Sequence, residues 1–158
     1  GRCRLISTQC VEAGCDVIGI GDAICSQIDR EMYDLYVKDR HMELARYIHS
    51  IGGRVKLHIC GNITHLLPSL KDLGLDILDI DWQVDFDEAH RICGDGLAVC
   101  GNINPVTIQD ATGEELGEMV QGLVRKEEGR RFICSGGCEI TVNTPPGNLL
   151  IMKKALGT

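Results

Sequence analysis

The sequence has no run of about 18 consecutive apolar residues, so nothing in it reads as a membrane-spanning helix. Its first residues lack the charged-then-apolar pattern of a secretory leader. It also lacks a basic stripe. Sixteen Lys and Arg stand against 23 Asp and Glu, a formal charge of −7 that repels phosphate backbones and argues against nucleic-acid partners. No C-x-x-C spacing occurs, which disfavours a structural zinc held by four cysteines. No G-x-G-x-x-G follows an apolar run, so a dinucleotide fold has no support. The stretches "SGGC" (135–138) and "GDG" (94–96) are too short and wrongly placed for a phosphate loop.

What is present fits a folded protein. The 158 residues, 44% of them apolar, suit one domain with a real core rather than a disordered chain. Nine cysteines are many, but an odd count in a chain of this length does not describe a secreted disulfide scaffold. Cys3, Cys10, Cys15, Cys25, Cys93, Cys100 and Cys134 sit mainly among apolar neighbours. They read as small buried hydrophobes in a reducing cytoplasm.

The hydrophobic pattern alternates along the chain. After a helix over 5–13, "DVIGIG" (16–21) reads as a buried strand, and Leu44, Ala45, Ile48 and Ile51 then recur at helical spacing before Gly52-Gly53. "RVKLH" (54–58) is the next strand. In "ITHLLPSLKDLG" (63–74), Ile63, Leu66, Leu67, Leu70 and Leu73 form one helical stripe, with Pro68 implying a late start or a kink. "DILDID" (76–81), "LAVCGN" (97–102) and "RFICSGG" (131–137) supply three further strands. Between them lie a short helix over 86–93 and a longer one opened by a Thr112/Glu115 capping box, whose apolar face is Leu116, Met119, Val120, Leu123 and Val124. "PPGNLLIMKKAL" (145–156) closes the series as a helix. Five strand–helix units predict an α/β protein with parallel strands and right-handed crossovers, either a doubly wound sheet or part of a (β/α)8 barrel. Parallel sheets of this kind are expected to be covered on both faces.

Reactive side chains gather just past the strand ends, the edge that binds ligands in parallel α/β folds. Asp22 follows the first strand, His58 and Cys60 the second, and Asp79, Asp81 and Trp82 the third. Asn102 and Asn104 follow the fourth, and Cys138 and Glu139 the fifth. His58, Cys60 and the remote Cys138 are borderline-to-soft donors suited to zinc, with one position left for a substrate. The same residues also allow a Cys–His nucleophile pair, although neighbours on one loop seldom reach that geometry. They equally allow a packed histidine with two inert thiols. Asp79 and Asp81 are candidates for paired carboxylates or for a cap. His41, His49, His65 and His90 read as solvated helix surface, and "KEEGRR" (126–131) as an exposed helix end and turn.

"LHICGN", "LDILDIDWQVDFDEAHRICGDGLAVCGNINP" and "FICSGGCEITVNTPPGNLLIMKKAL" resemble the uroporphyrinogen decarboxylase superfamily, and within it the corrinoid-dependent methylcobamide:coenzyme M methyltransferase branch. The resemblance implies a (β/α)8 barrel of which residues 1–158 form one partial domain holding the last five βα units. It implies Zn²⁺ on His58, Cys60 and Cys138, with a small thiol taking the open position. The methyl donor would be a methyl-corrinoid carried by a separate corrinoid protein. Asp22, Asp81, Asn102 and Glu139 are the expected substrate-side residues. Decarboxylases of the superfamily resemble this chain less at "SGGCEI", where they carry a histidine-containing glycine segment, and they lack the H-x-C thiolate. A decarboxylase-like enzyme and an inert partial barrel serving as an interaction subunit are the alternatives. Another chain completing the barrel, or a homo-oligomer, is the partner expected from unpaired edge strands.

Overall fold

The computed structural model describes residues 1–157. Its sheet has five parallel strands in sequential order: β1 (Val17–Gly21), β2 (Arg54–Ile59), β3 (Ile77–Ile80), β4 (Ala98–Ile103) and β5 (Phe132–Gly136). Sequential parallel order with a helical crossover each time is the wall of a (β/α) barrel; a doubly wound sheet would reverse direction partway. The helices are α1 (Arg2–Glu12), α2 (Arg30–Tyr36), α3 (Lys38–Ser50), α4 (Leu67–Leu70), α5 (Phe86–Cys93), α6 (Pro105–Asp110), α7 (Gly113–Lys126) and α8 (Pro146–Ala155). Among the described residues no helix is long and apolar enough to cross a membrane.

Strand alternation sorts the sheet into two unlike faces. Val55, Leu57 and Ile59 of β2, Leu78 and Ile80 of β3, and Val99 of β4 are buried. Most of them join one core with Leu66, Leu67, Leu70, Phe86 and Ala89 from the helical side. A second core joins Ile103 and Ile108 to Leu116, Val120 and Met152, and seats α6, α7 and α8. The opposite face carries Lys56, His58, Asp79, Cys100 and Ser135, and Val17 and Ile133 stay 40% and 41% exposed there. In these residues, then, helices cover one face only. The other is polar towards the strands' C-terminal ends, the reverse of the apolar cover expected on both sides.

Local chemistry explains most helix starts. The Thr112 hydroxyl accepts from the Glu115 N–H at 3.3 Å while the Glu115 carboxylate accepts from the Thr112 N–H at 2.9 Å, the expected capping box. Asp29, Asp85 and Asn104 cap α2, α5 and α6 with side-chain oxygens. The stripe in residues 63–73 is fully buried where expected. It is built as a 3-10 turn (Thr64–Leu66) and a four-residue α4, because Pro68 has no N–H for a helix interior and fits only the first turn. The stretch between β1 and β2 divides into a 3-10 turn (Ala23–Gln27), α2 and α3, and α3 carries Leu44, Ala45 and Ile48 of the expected stripe.

Three sequence expectations are corrected here. His41 and His90 are buried at 6% and 8% exposure, whereas His49 and His65 are exposed. Burial is tolerable for His41 because both ring nitrogens have partners: the Tyr33 hydroxyl at 2.8 Å and the Asp22 carboxylate at 3.2 Å. His90 lies in the α5–α7 interface, 3.0 Å from the Glu127 carboxylate and stacked on Phe86. That contact is too poorly aligned for a hydrogen bond, so both His90 ring nitrogens and the Glu127 Oε2 are buried with no hydrogen-bond partner among the described residues. Glu127, in the segment expected to be surface, is 1% exposed and also meets Arg130 at 3.5 Å. Cys3, on α1, and Cys15, past its end, are exposed rather than buried, and Cys10, Cys93 and Cys134 are half-buried; Cys25 and Cys100 are buried as expected.

Two predictions follow from these buried pairs. Glu127→Ala removes the carboxylate that faces both His90 and Arg130, and leaving a buried polar group without its partner costs about 1–3 kcal/mol; a matching drop in denaturation free energy is expected. Burial, opposed by the Asp22 charge and hydrogen bond, holds the His41 pKa below its ordinary 6.5. The unfolded chain therefore takes up that proton first as pH falls, and stability is lost below about pH 6.5. A urea-unfolding series from pH 7.5 to about 5 is expected to fall more steeply for wild type than for His41→Gln.

Candidate metal centre

β2 ends at Ile59, and Cys60 follows on the loop. His58 projects from the strand's open face, with its Nδ1 3.1 Å from the Asp79 backbone carbonyl on β3. A carbonyl only accepts, so Nδ1 carries the proton and Nε2 keeps its lone pair. That lone pair faces Cys60 Sγ at 3.2 Å. Gly61 then turns the chain with φ +86°, a conformation side chains rarely adopt, and its N–H donates to the Asp81 carboxylate at 2.8 Å. The other Asp81 oxygen accepts from the Gln83 N–H at 3.1 Å. One carboxylate thus pins the Cys60 loop to the end of β3.

Cys138 arrives from β5 over two glycines. A Cβ on Gly137 would stand 2.9 Å from the Trp82 Cα, and one on Gly136 would stand 2.8 Å from Ile140 Cδ1. The Trp82 contact is with backbone, so only glycine at position 137 lets the chain leaving β5 pass this close to the end of β3. The Gly137 N–H donates to the Ile103 carbonyl at 2.7 Å and fixes the approach. Cys138 Sγ then lies 3.6 Å from Cys60 Sγ, although 78 residues separate them. The ligand atoms of His58, Cys60 and Cys138 all lie within 4.8 Å of one another.

This set fits a zinc ion. A tetrahedral ion with bonds of about 2.3 Å to sulfur and 2.0 Å to nitrogen has S···S and N···S edges of about 3.5–3.8 Å. The observed 3.6 and 3.2 Å fall within a few tenths of an ångström of those edges. The imidazole is oriented through its remote nitrogen by a backbone carbonyl, as metal-bound histidines usually are. Without a cation the charge balance opposes thiolate. Burial raises the Cys60 pKa, and the Cys138 hydrogen bond and the negative charges of Cys138 and Asp81 add to it. A divalent ion would reverse that balance.

Of the rim residues singled out in sequence, the structure draws these three into one cluster and gives the others different surroundings. The Asp22 carboxylate turns to His41, while its N–H donates to the His58 carbonyl at 3.0 Å. The Asn102 amide donates to the Val84 carbonyl at 2.6 Å and braces the loop after β3. Asn104 caps α6. Glu139 is exposed at the lip of a 440 Å³ cavity lined also by His58, Cys138, Lys56, Asp79 and Gly21. A larger cavity of 610 Å³ lies between α1, β1 and α3, and neither Cys60 nor Cys138 lines it. The Cys–His approach that neighbours on one loop seldom achieve is present here.

Sequence reasoning missed Lys56. Its ammonium meets Asp79 at 2.6 Å inside the smaller cavity, and this pairing raises its pKa although burial alone would lower it. Its place two residues before His58 on a strand was the signal, since i and i+2 share a face. Cys100 lies on the same face, pushed up to about 11 by burial and by the Asp79 charge. Beneath the cluster, therefore, runs a polar floor of Lys56, Asp79, Cys100 and Ser135.

Comparison with known proteins agrees with this architecture. The family model for uroporphyrinogen decarboxylase (URO-D) matches residues 3–157. A uroporphyrinogen decarboxylase from Koribacter versatilis is 31% identical over 145 residues, covering 91% of this chain and 41% of that protein. A methylcobamide:CoM methyltransferase from Methanosarcina barkeri is 28% identical over 141 residues, covering 88% and 40%. The chain thus spans about two-fifths of the length of these relatives. Among solved structures, a methyltransferase from Methanosarcina mazei superimposes with a TM-score of 0.86 at 23% identity, over 97% of this chain and 45% of that one. At that identity the likeness shows the fold, five units of a larger barrel. The chain belongs to the uroporphyrinogen decarboxylase family.

Proposed function

We propose that the chain carries the metal-binding half of a zinc-dependent methyltransferase, which moves a methyl group from a protein-borne methyl-corrinoid to a small thiol. The observation that carries this is the convergence of a His58 ring nitrogen, Cys60 Sγ and Cys138 Sγ within 4.8 Å at the C-terminal edge of the sheet. The 28% identity to a methylcobamide:CoM methyltransferase supports the same reaction class. Zinc bound there would supply the Lewis acidity that stabilises a thiolate over a thiol at neutral pH.

The chain's own residues do the positioning. The Asp79 carbonyl holds the His58 proton on Nδ1 and so presents Nε2. Asp81 fixes the Cys60 loop by its bond to the Gly61 amide. Gly136 and Gly137 let Cys138 close the third side. On β1, Gly19 and Gly21 stand opposite Lys56 and His58 in the sheet register, and a Cβ at either would meet open space. This bare strand gives a small thiol room to enter beside His58. The paired Lys56 and Asp79 beneath it offer a donor and an acceptor for the polar part of the substrate. Asp22, Asn102 and Glu139 remain candidates for contact with substrate or with the corrinoid protein.

Porphyrinogen decarboxylation is the second reading, favoured by the 31% identity to a uroporphyrinogen decarboxylase. It gives no role to a His–Cys–Cys cluster, and metal-free turnover of a porphyrinogen would transfer the weight to it.

Zinc analysis after dialysis is expected to find about one equivalent per wild-type chain and to lose it in Cys138→Ser, which removes a thiolate donor. Zinc-free wild type, or a Cys138→Ser variant that binds as well as wild type, contradicts the proposal. Asp81→Ala frees the Gly61 amide; competition with a chelating indicator is expected to show zinc affinity about 10–100-fold weaker, the usual cost of losing an outer-shell support.

A further inference from the structure

The two sulfurs of the cluster are near enough to react with each other. Cys60 Sγ and Cys138 Sγ lie 3.6 Å apart, and a disulfide needs about 2.0 Å, so a closure of about 1.6 Å joins them. Both cysteines sit on loops past strand ends and both are half-buried, so neither the sheet ladder nor complete burial resists that closure. The flanking backbone is held from both sides, Gly61 by Asp81 and Gly137 by Ile103, so the thiols stay facing each other. Of the remaining cysteines, Cys10, Cys93 and Cys134 are also half-buried, with Cys93 and Cys134 packed against the apolar cores. Cys25 and Cys100 are buried, and Cys3 and Cys15 are exposed on or just past α1, at the outer side of the fold.

We propose that Cys60 and Cys138 form a redox modification site: an intramolecular disulfide made by exchange with a low-molecular-weight disulfide, in a state exclusive of metal binding. One cysteine sulfur attacks a sulfur of the small disulfide, breaking its S–S bond and releasing one small thiolate. The second cysteine sulfur attacks the resulting mixed disulfide at the protein sulfur and releases the other small thiolate. The two protein thiols are oxidised, the small disulfide is reduced to two thiols, and the two cysteine protons end on those leaving groups. Either outcome for the pair consumes both sulfurs, so a metal ion protects them and the cross-link removes two of the three donors. The inference rests on the sulfur geometry and not on methyl transfer.

The test treats the metal-free chain with glutathione disulfide and maps peptides by mass spectrometry. The expected result is a loss of two of the nine free thiols, a Cys60–Cys138 cross-linked peptide as the main product, and recovery on reduction. Zinc added first is expected to block the cross-link, and the oxidised chain is expected to take up no zinc. Cys60→Ser and Cys138→Ser are each expected to stop at a glutathione adduct on the remaining cysteine. A stable glutathione adduct at either site in wild type, or a cross-link placed elsewhere among the nine, overturns the proposal. A chain that cross-links Cys60 to Cys138 yet never binds zinc upholds this inference while removing the metal-based function.

Discussion

Everything at the rim depends on how β2 and β3 are aligned. Their register pairs His58 with Asp79 and Ile59 with Ile80. That alignment brings the Asp79 carbonyl to His58 Nδ1 and the Asp81 carboxylate to the Gly61 amide. A slip by one residue would turn His58 into the helical core and expose Leu57 and Ile59, a large loss of buried apolar surface. The hydrophobic side of the sheet therefore enforces the geometry of the polar side. Site precision here is inherited from core packing.

The third donor is governed by a different constraint, close backbone approach. β5 lies next to β4, and Cys138 reaches Cys60 because the chain passes Trp82, just beyond β3, with no side chain at Gly137. Gly101 on β4 makes a comparable approach: a Cβ there would lie 2.6 Å from the Ile80 carbonyl oxygen, and its φ of +132° suits glycine. Glycine is thus used twice, at Gly101 within β4 and at Gly137 just past β5, to let neighbouring backbones come close. Such positions weaken a strand on its own, and pairing on both sides of β4 compensates.

Much of this was legible in the sequence. Alternating short apolar runs and helical stripes located all five strands, and the Thr112/Glu115 pair marked a helix start. His58 and Cys60 were visible as a pair because strand alternation puts i and i+2 on one side. Cys138 was legible by residue type alone, since no local pattern reports a partner 78 residues away. What stayed hidden was long-range pairing of polar groups. His41 reads as surface until Tyr33 and Asp22 are seen around it, and Glu127 until His90 is. α6 was missed because Asn104-Pro105, a strong helix start, reads as the end of a loop when the helix it opens has only six residues. Lys56 was overlooked because a lysine in a strand normally signals solvent, whereas here it faces Asp79.

The central claim is that one imidazole and two thiolates share a metal ion. X-ray absorption at the zinc edge, on the zinc-loaded chain, tests it most directly. Two sulfur scatterers at about 2.3 Å, with the rest of the shell nitrogen or oxygen at about 2.0–2.1 Å, are predicted. A shell of oxygen and nitrogen alone, or one of four sulfurs, would contradict it.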